Sequence, residues 1–283
     1  AHFAAWRSRS AATLKALQAG CHPKEVIARL SEDLLAHYAG RPLIDPYDIY
    51  QHLMDYWAGT MQDDGYLIAA DGWKAEPYRV VETDKKGREK DKGWACDLVP
   101  KTLIVARYYA EEQTALDRLV AELEGVGAER AELEEEHGGE DAAFSGFEKI
   151  NAANVKDRIH EIGADPDGAD ELRVLKAWLA LMAEESALKR KLKDAEAALD
   201  AKAYARYSKL AEDEIKALVV DDKWLAALDA TIHGEMDRVS QQLTRRVKEL
   251  AERYETPLAR LSETVEALSA RVANHLKKMG FSW

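Results

Sequence analysis

The chain has 283 residues, enough for one large domain or two smaller ones with a real core. One third of it is charged, Ala, Leu, Glu and Lys fill its long stretches, and only 7 prolines and 16 glycines interrupt them; that mixture points to long exposed helices and argues against a β-rich fold. The formal charge of −12 argues against a free-standing, non-specific DNA binder, because phosphate neutralisation needs a basic surface. The charge is uneven. Residues 111–200 hold 24 acids against 11 bases, whereas residues 238–283 hold 9 bases against 5 acids. A surface near a nucleic acid backbone is therefore expected in the tail.

Residues 1–40 carry helical periodicity through Leu14, Leu17, Val26, Ile27, Leu30, Leu34 and Leu35, with Pro23 in the first turn of a second helix. Gly40-Arg41-Pro42 breaks it. Asp45 is a natural N-cap with Pro46 at the first helical position. Tyr50, Met54, Trp57 and Met61 then form one expected apolar face, and Asp63-Asp64-Gly65 is the expected stop. Residues 78–83 read as a strand, Asp84-Lys85-Lys86-Gly87 as a turn, and residues 94–99 as a second, weaker strand.

A long helix is expected over residues 101–136, with Tyr109, Leu116 and Leu123 seven apart and Leu119, Val126 and Leu133 in the offset register. Residues 138–168 are loop-rich, with a short helix over 155–162 and a turn at Asp165-Pro166-Asp167-Gly168. A second long helix is expected over 169–210, which makes an antiparallel coiled-coil hairpin with the first. A short helix over 213–218 and a long one over 224–254 follow, and Thr256-Pro257 starts or kinks the next. The final run alternates 3 and 4: Leu258, Leu261, Val265, Leu268, Val272, His275 and Met279, with Leu276 beside the seam and Gly280 as its stop. A seam this regular needs a partner helix, either the 224–254 helix or one from another chain. The expected fold is mainly α: a helical body with a small β-hairpin over 1–100, a protruding coiled-coil hairpin over 101–211, and C-terminal helices over 212–283.

Cys21 and Cys96 lack metal-type spacing and read as reduced thiols of a cytoplasmic protein, with one long-range bridge left open. No secretory leader is expected at the N-terminus, and no run approaches a membrane span. A first residue other than Met fits a fragment of a longer chain or loss of an initiator Met.

Asp48, His52 and Asp55 share a helix face that fits a divalent metal or a general base, or simply the solvated side of an amphipathic helix. The second reading is preferred, so no metal ligand and no catalytic residue is assigned. A small hydrolase on that face is the weakest alternative. Tyr47, Tyr50, Tyr56, Trp57, Tyr66 and Trp73 fit either a core or a stacking surface, and core is the preferred reading. Leu258, Leu261, Val265, Leu268, Val272, Leu276 and Met279 are the candidate partner-binding residues. Arg245, Arg246, Lys248, Lys277 and Lys278 are the candidate DNA-proximal ones, against a solvated helix face as the alternative.

Residues 42–73, the blocks at 218–224, 235–239 and 246–254, and the ending Lys277-Lys278-Met279-Gly280-Phe281-Ser282-Trp283 resemble the C-terminal region of the M subunits of type I restriction–modification systems. The resemblance covers nearly the whole chain and rests on composition and order. It implies a parent with a separate S-adenosylmethionine-binding domain that methylates adenine N6, docked by its helical end onto a sequence-reading S subunit. R subunits add cleavage. Such methyltransferases carry an Asn-Pro-Pro-aromatic motif that grips the flipped base. The only asparagines here, Asn151, Asn154 and Asn274, precede no proline, and no glycine-rich loop follows a buried strand. The expected role is a non-catalytic, cofactor-free assembly module; the alternative is a stand-alone coiled-coil scaffold.

Overall fold

The computed structural model describes residues 2–83, 87–139, 142–163, 165, 168–255 and 258–281. The chain is mainly helical with one small antiparallel sheet. It forms two compact units, one of residues 1–70 with 224–283 and one of residues 71–223. These units cut across the three segments expected from the sequence. The strands belong with the coiled-coil helices, and the N-terminal helices belong with the C-terminal ones. Long-range packing, which sequence order does not carry, makes the difference.

In the first unit, α1 (His2–Lys15) and α2 (Pro23–Tyr38) bury Phe3, Trp6, Leu14, Leu30, Leu34 and Tyr38. Pro23 occupies the start of α2 as expected. Helix α3 (Pro46–Tyr56) is capped by Asp45, whose side chain accepts from the Tyr47 N–H at 2.9 Å. The helix does not stop at Asp63-Asp64-Gly65. It widens into a π-turn (Trp57–Met61), with the Gln62 N–H bonded to the Trp57 carbonyl, and continues as α4 (Gln62–Asp71). Of the expected face Trp57 and Met61 are buried, but the residues that join them inside are Ile49 and Leu53, whereas Tyr50 and Met54 are only half-buried. Steps of four residues drift by roughly 40° each around an α-helix. The wider π-turn takes up that drift and keeps Trp57 and Met61 on the buried side.

Asp64 and Gly65 fail as a stop because both are needed inside. A side chain on Gly65 would meet Pro23 at 3.5 Å and the Trp57 ring at 3.7 Å. Asp64 is 4% exposed and accepts from the Trp224 indole N–H at 2.7 Å. Burial, helped by the Asp64 charge, pushes the Tyr56 phenol from 10.0 up to about 12. A raised pKa keeps the neutral phenol favoured, so its contribution is complete below pH 10 and disappears as pH rises through about 12. Tyr56→Phe is therefore expected to lose less stability than the parent chain between those values, measured as denaturant midpoint against pH. Parallel curves for the two proteins would contradict this account.

In the second unit, β1 (Tyr78–Thr83) pairs antiparallel with β2 (Glu89–Ala95), and the register slips between Arg79 and Val81. Gly93 sits opposite the slip at φ 96°, which only glycine adopts freely, so the chain bulges there. The second strand lies earlier than the expected 94–99, because Leu98 and Val99 leave the ladder and are buried. The hairpin turn at 84–86 lies outside the described residues, as do 166–167 of the Asp165–Gly168 turn and the Thr256-Pro257 junction.

The expected 101–136 helix is broken. Helix α5 (Lys101–Tyr108) ends at Tyr109, whose φ of −136° and ψ of 31° are not helical, and α6 (Ala110–Glu136) follows. Neither Gly nor Pro causes the break. The hydroxyls on its two sides point to separate anchors: Tyr108 donates to Glu214 at 2.9 Å and Tyr109 to the Lys202 carbonyl at 3.3 Å.

Helix α6 packs against α8 (Ala169–Tyr207), and the pairs Glu112–Lys202, Arg130–Glu185 and Glu134–Trp178 fix their antiparallel sense. At the far end, α7 (Ala152–Ile162) folds over a small core of Phe144, Val155, Leu175 and Trp178. At the near end Asp200 accepts from Lys101 and, at 2.9 Å, from the Trp94 indole. Burial raises the Asp200 carboxyl, but those two donors outweigh it and the net pKa is lowered. Tyr207 donates to the Val99 carbonyl at 2.7 Å, which ties the strand exit to α8. Helix α9 (Glu212–Lys216) and a second π-helical stretch (Ala217–Leu225) lead to α10 (Ala226–Arg253) and α11 (Leu258–Lys278).

A candidate partner-binding face on the last two helices

Helix α10 is anchored at one end only. Leu228 and Ile232 are buried, and α10 packs on α3. Glu235 is gripped by the Arg238 guanidinium and lies 3.7 Å from the His52 ring. The Arg238 hydrogen bonds, with the nearby His52, outweigh desolvation and hold the Glu235 carboxyl below its usual range. Past this point the helix emerges. Leu243, Val247, Leu250 and Tyr254 form an exposed stripe.

The expected seam lies on α11, and among the described residues nothing buries it. Leu258, Leu261, Val265, Leu268, Val272 and Met279 are 48% to 79% exposed, and Leu276 is half-buried. Among the described residues α11 has no buried residue and forms no packed pair with α10. Val265, Leu268, Ser269, Val272, Ala273 and Leu276 line a shallow groove along it. The end is well formed: Gly280 has φ 88°, its N–H bonds to the Lys277 carbonyl at 3.2 Å, and the Phe281 N–H bonds to the Leu276 carbonyl at 3.0 Å. That is a Schellman stop, so the helix ends by design of its sequence.

Of the candidate DNA-proximal residues, Arg246 pairs with Glu249 at 3.1 Å and Lys248 lies 4.0 Å from Glu252. Arg245, Lys277 and Lys278 are exposed. Arg245, Arg246 and Lys248 lie in the later half of α10, and Lys277 and Lys278 in the last turn of α11. Sequence reading passed over Arg271. It precedes Lys278 by seven residues and so shares its edge of the seam, a signal present in the heptad itself.

The Asp48, His52 and Asp55 face has a structural use. His52 meets Glu235, Asp48 lies in the field of Arg238, and Asp55 accepts from the Gln51 amide at 2.7 Å. Among the described residues no three His, Cys, Asp or Glu side chains are grouped to hold a metal. The aromatic residues are core only in part: Trp57 and Trp73 are buried, whereas Tyr47 and Tyr66 are exposed. Cys21 and Cys96 are free thiols, so the long-range bridge is not formed. No described helix is long and apolar enough to cross a membrane. No protein-family model, curated protein or solved structure matches this chain.

Proposed function

We propose that this chain is the helical assembly module of a type I restriction–modification adenine-N6 DNA methyltransferase subunit, docking a separate catalytic domain onto the specificity subunit and DNA. The observation that carries the reading is the uncovered apolar seam on α11, continued by the outer stripe of α10. A helix face of large apolar residues repeating at 3 and 4 is stable in water only when another helix covers it. The resemblance of residues 42–73 and of the C-terminal blocks supplies the identity of the partner. On this reading no residue here transfers a methyl group, S-adenosylmethionine binds the parent's other domain, and the restriction subunit joins the complete assembly. Arg245, Arg246, Lys248 and Lys277 then lie beside DNA phosphates in that assembly, whereas Lys278, on the edge of the apolar seam, faces the docked partner.

The second reading, a self-contained scaffold, draws on the α6–α8 hairpin, which closes on itself through side-chain pairs along its length. Capture of the cognate specificity subunit by the 283-residue chain separates the two. Selective retention over unrelated coiled-coil proteins is the expected result, and equal retention of both would sink the assignment.

A further inference from the structure

We propose that the occupant of the α11 face is an acidic amphipathic helix, whose carboxylates meet Arg271 and Lys278 on one edge of the seam. The inference rests on the reading of α11 as a docking face and adds the chemistry of what docks. With Leu258, Val265, Val272 and Met279 at one set of seam positions and Leu261, Leu268 and His275 at the other, one flank carries Ser262, Ser269 and Leu276. The other flank carries Thr264, Arg271 and Lys278. Every charged residue flanking the seam is therefore basic. The two acids of the helix, Glu263 and Glu266, fall on positions away from the seam, and residues 267–281 contain no acid.

Arg271 and Lys278 are exposed, and neither forms an ion pair among the described residues. In helix pairs the flanking positions choose the partner by charge. The α11 of a second copy offers no carboxylate at either flank to meet Arg271 or Lys278, so pairing of α11 with itself leaves them unmatched. A helix with an apolar seam and Glu or Asp at its flanks satisfies both the groove and the two cations.

The test uses the full chain and two designed 28-residue heptad peptides with the same apolar seam, one with Glu and one with Lys at all flanking positions. The acidic peptide is expected to bind, more weakly as salt rises, and the basic one at least about tenfold less tightly. Arg271→Glu with Lys278→Glu is expected to reverse that preference while leaving helicity and thermal midpoint unchanged, because both side chains are exposed. Equal binding of the two peptides, binding of neither, retention on phosphatidylglycerol vesicles in place of the acidic peptide, or salt-resistant self-association would each overturn the proposal. Peptide binding without capture of the specificity subunit would instead remove only the identity of the partner.

Discussion

On the proposed function, replacing Leu268 and Val272 together by Asp is expected to weaken docking of the specificity subunit by about a thousandfold and to leave the fold intact. Both residues are at least half exposed in the free chain and support nothing within it. Their removal therefore costs folding only the helix preference of two surface positions, roughly 0.5 kcal/mol each. At a covered seam the same change removes two central apolar contacts and sets two carboxylates against an apolar surface. Central interface residues are each worth about 2 kcal/mol, and 4 kcal/mol is about three decades in Kd. Calorimetric titration with the partner reads the first effect and thermal unfolding reads the second. Undiminished binding would show that the seam faces water for some other reason. A collapse in thermal midpoint would show that α11 is internal packing after all.

Trp224→Ala is expected to be the most damaging single change to stability, at about 3–5 kcal/mol. The indole is 1% exposed and stands where the π-helical stretch meets α10, with its N–H on Asp64. Truncation empties a ring-sized space among close-packed side chains and removes a hydrogen bond from a buried carboxylate. Trp224→Phe keeps a six-membered ring in place while losing the donor and the smaller part of the indole, and about 1–3 kcal/mol is expected for it. Because domains are stable by only about 5–15 kcal/mol, the alanine variant consumes much of the margin. Denaturant unfolding followed by far-ultraviolet circular dichroism measures both variants. An alanine variant within 1 kcal/mol of the parent would show that Asp64 and Trp224 are incidental neighbours.

The charge distribution has a consequence for where partners approach. The acidic segment coincides with α6, α7 and α8, where acids outnumber bases and only some are paired: Arg130 with Glu134 and Glu185, Lys189 with Glu185, Arg158 with Glu171. Most are partly exposed and each contributes little to stability, but together they give the hairpin an anionic surface that repels nucleic acid. The basic end of the chain carries the exposed apolar seam.

The mainly helical fold with its single hairpin, the N-cap at Asp45, the start at Pro23, the stop at Gly280 and the terminal heptad were all readable along the chain. Each depends on neighbours within one or two turns: a side chain reaching a free N–H, a ring that fixes φ, a repeat of 3 and 4. The extension of α3 through Asp64 and Gly65, the π-turn at Trp57–Met61, the break at Tyr109, the earlier position of β2 with Leu98 and Val99 outside the ladder, and the grouping of both termini into one unit were not. Local preference at Asp63-Asp64-Gly65 is for a stop, and it lost because Trp224, 160 residues away, supplies a donor to the buried carboxylate. Tyr109 leaves helical geometry with Lys202 and Glu214 as the anchors beside it, partners about a hundred residues distant. Whether an apolar stripe is core or interface is likewise no property of its spacing. Leu228 and Leu268 read alike in sequence, and only three-dimensional packing leaves the first under cover and the second facing water.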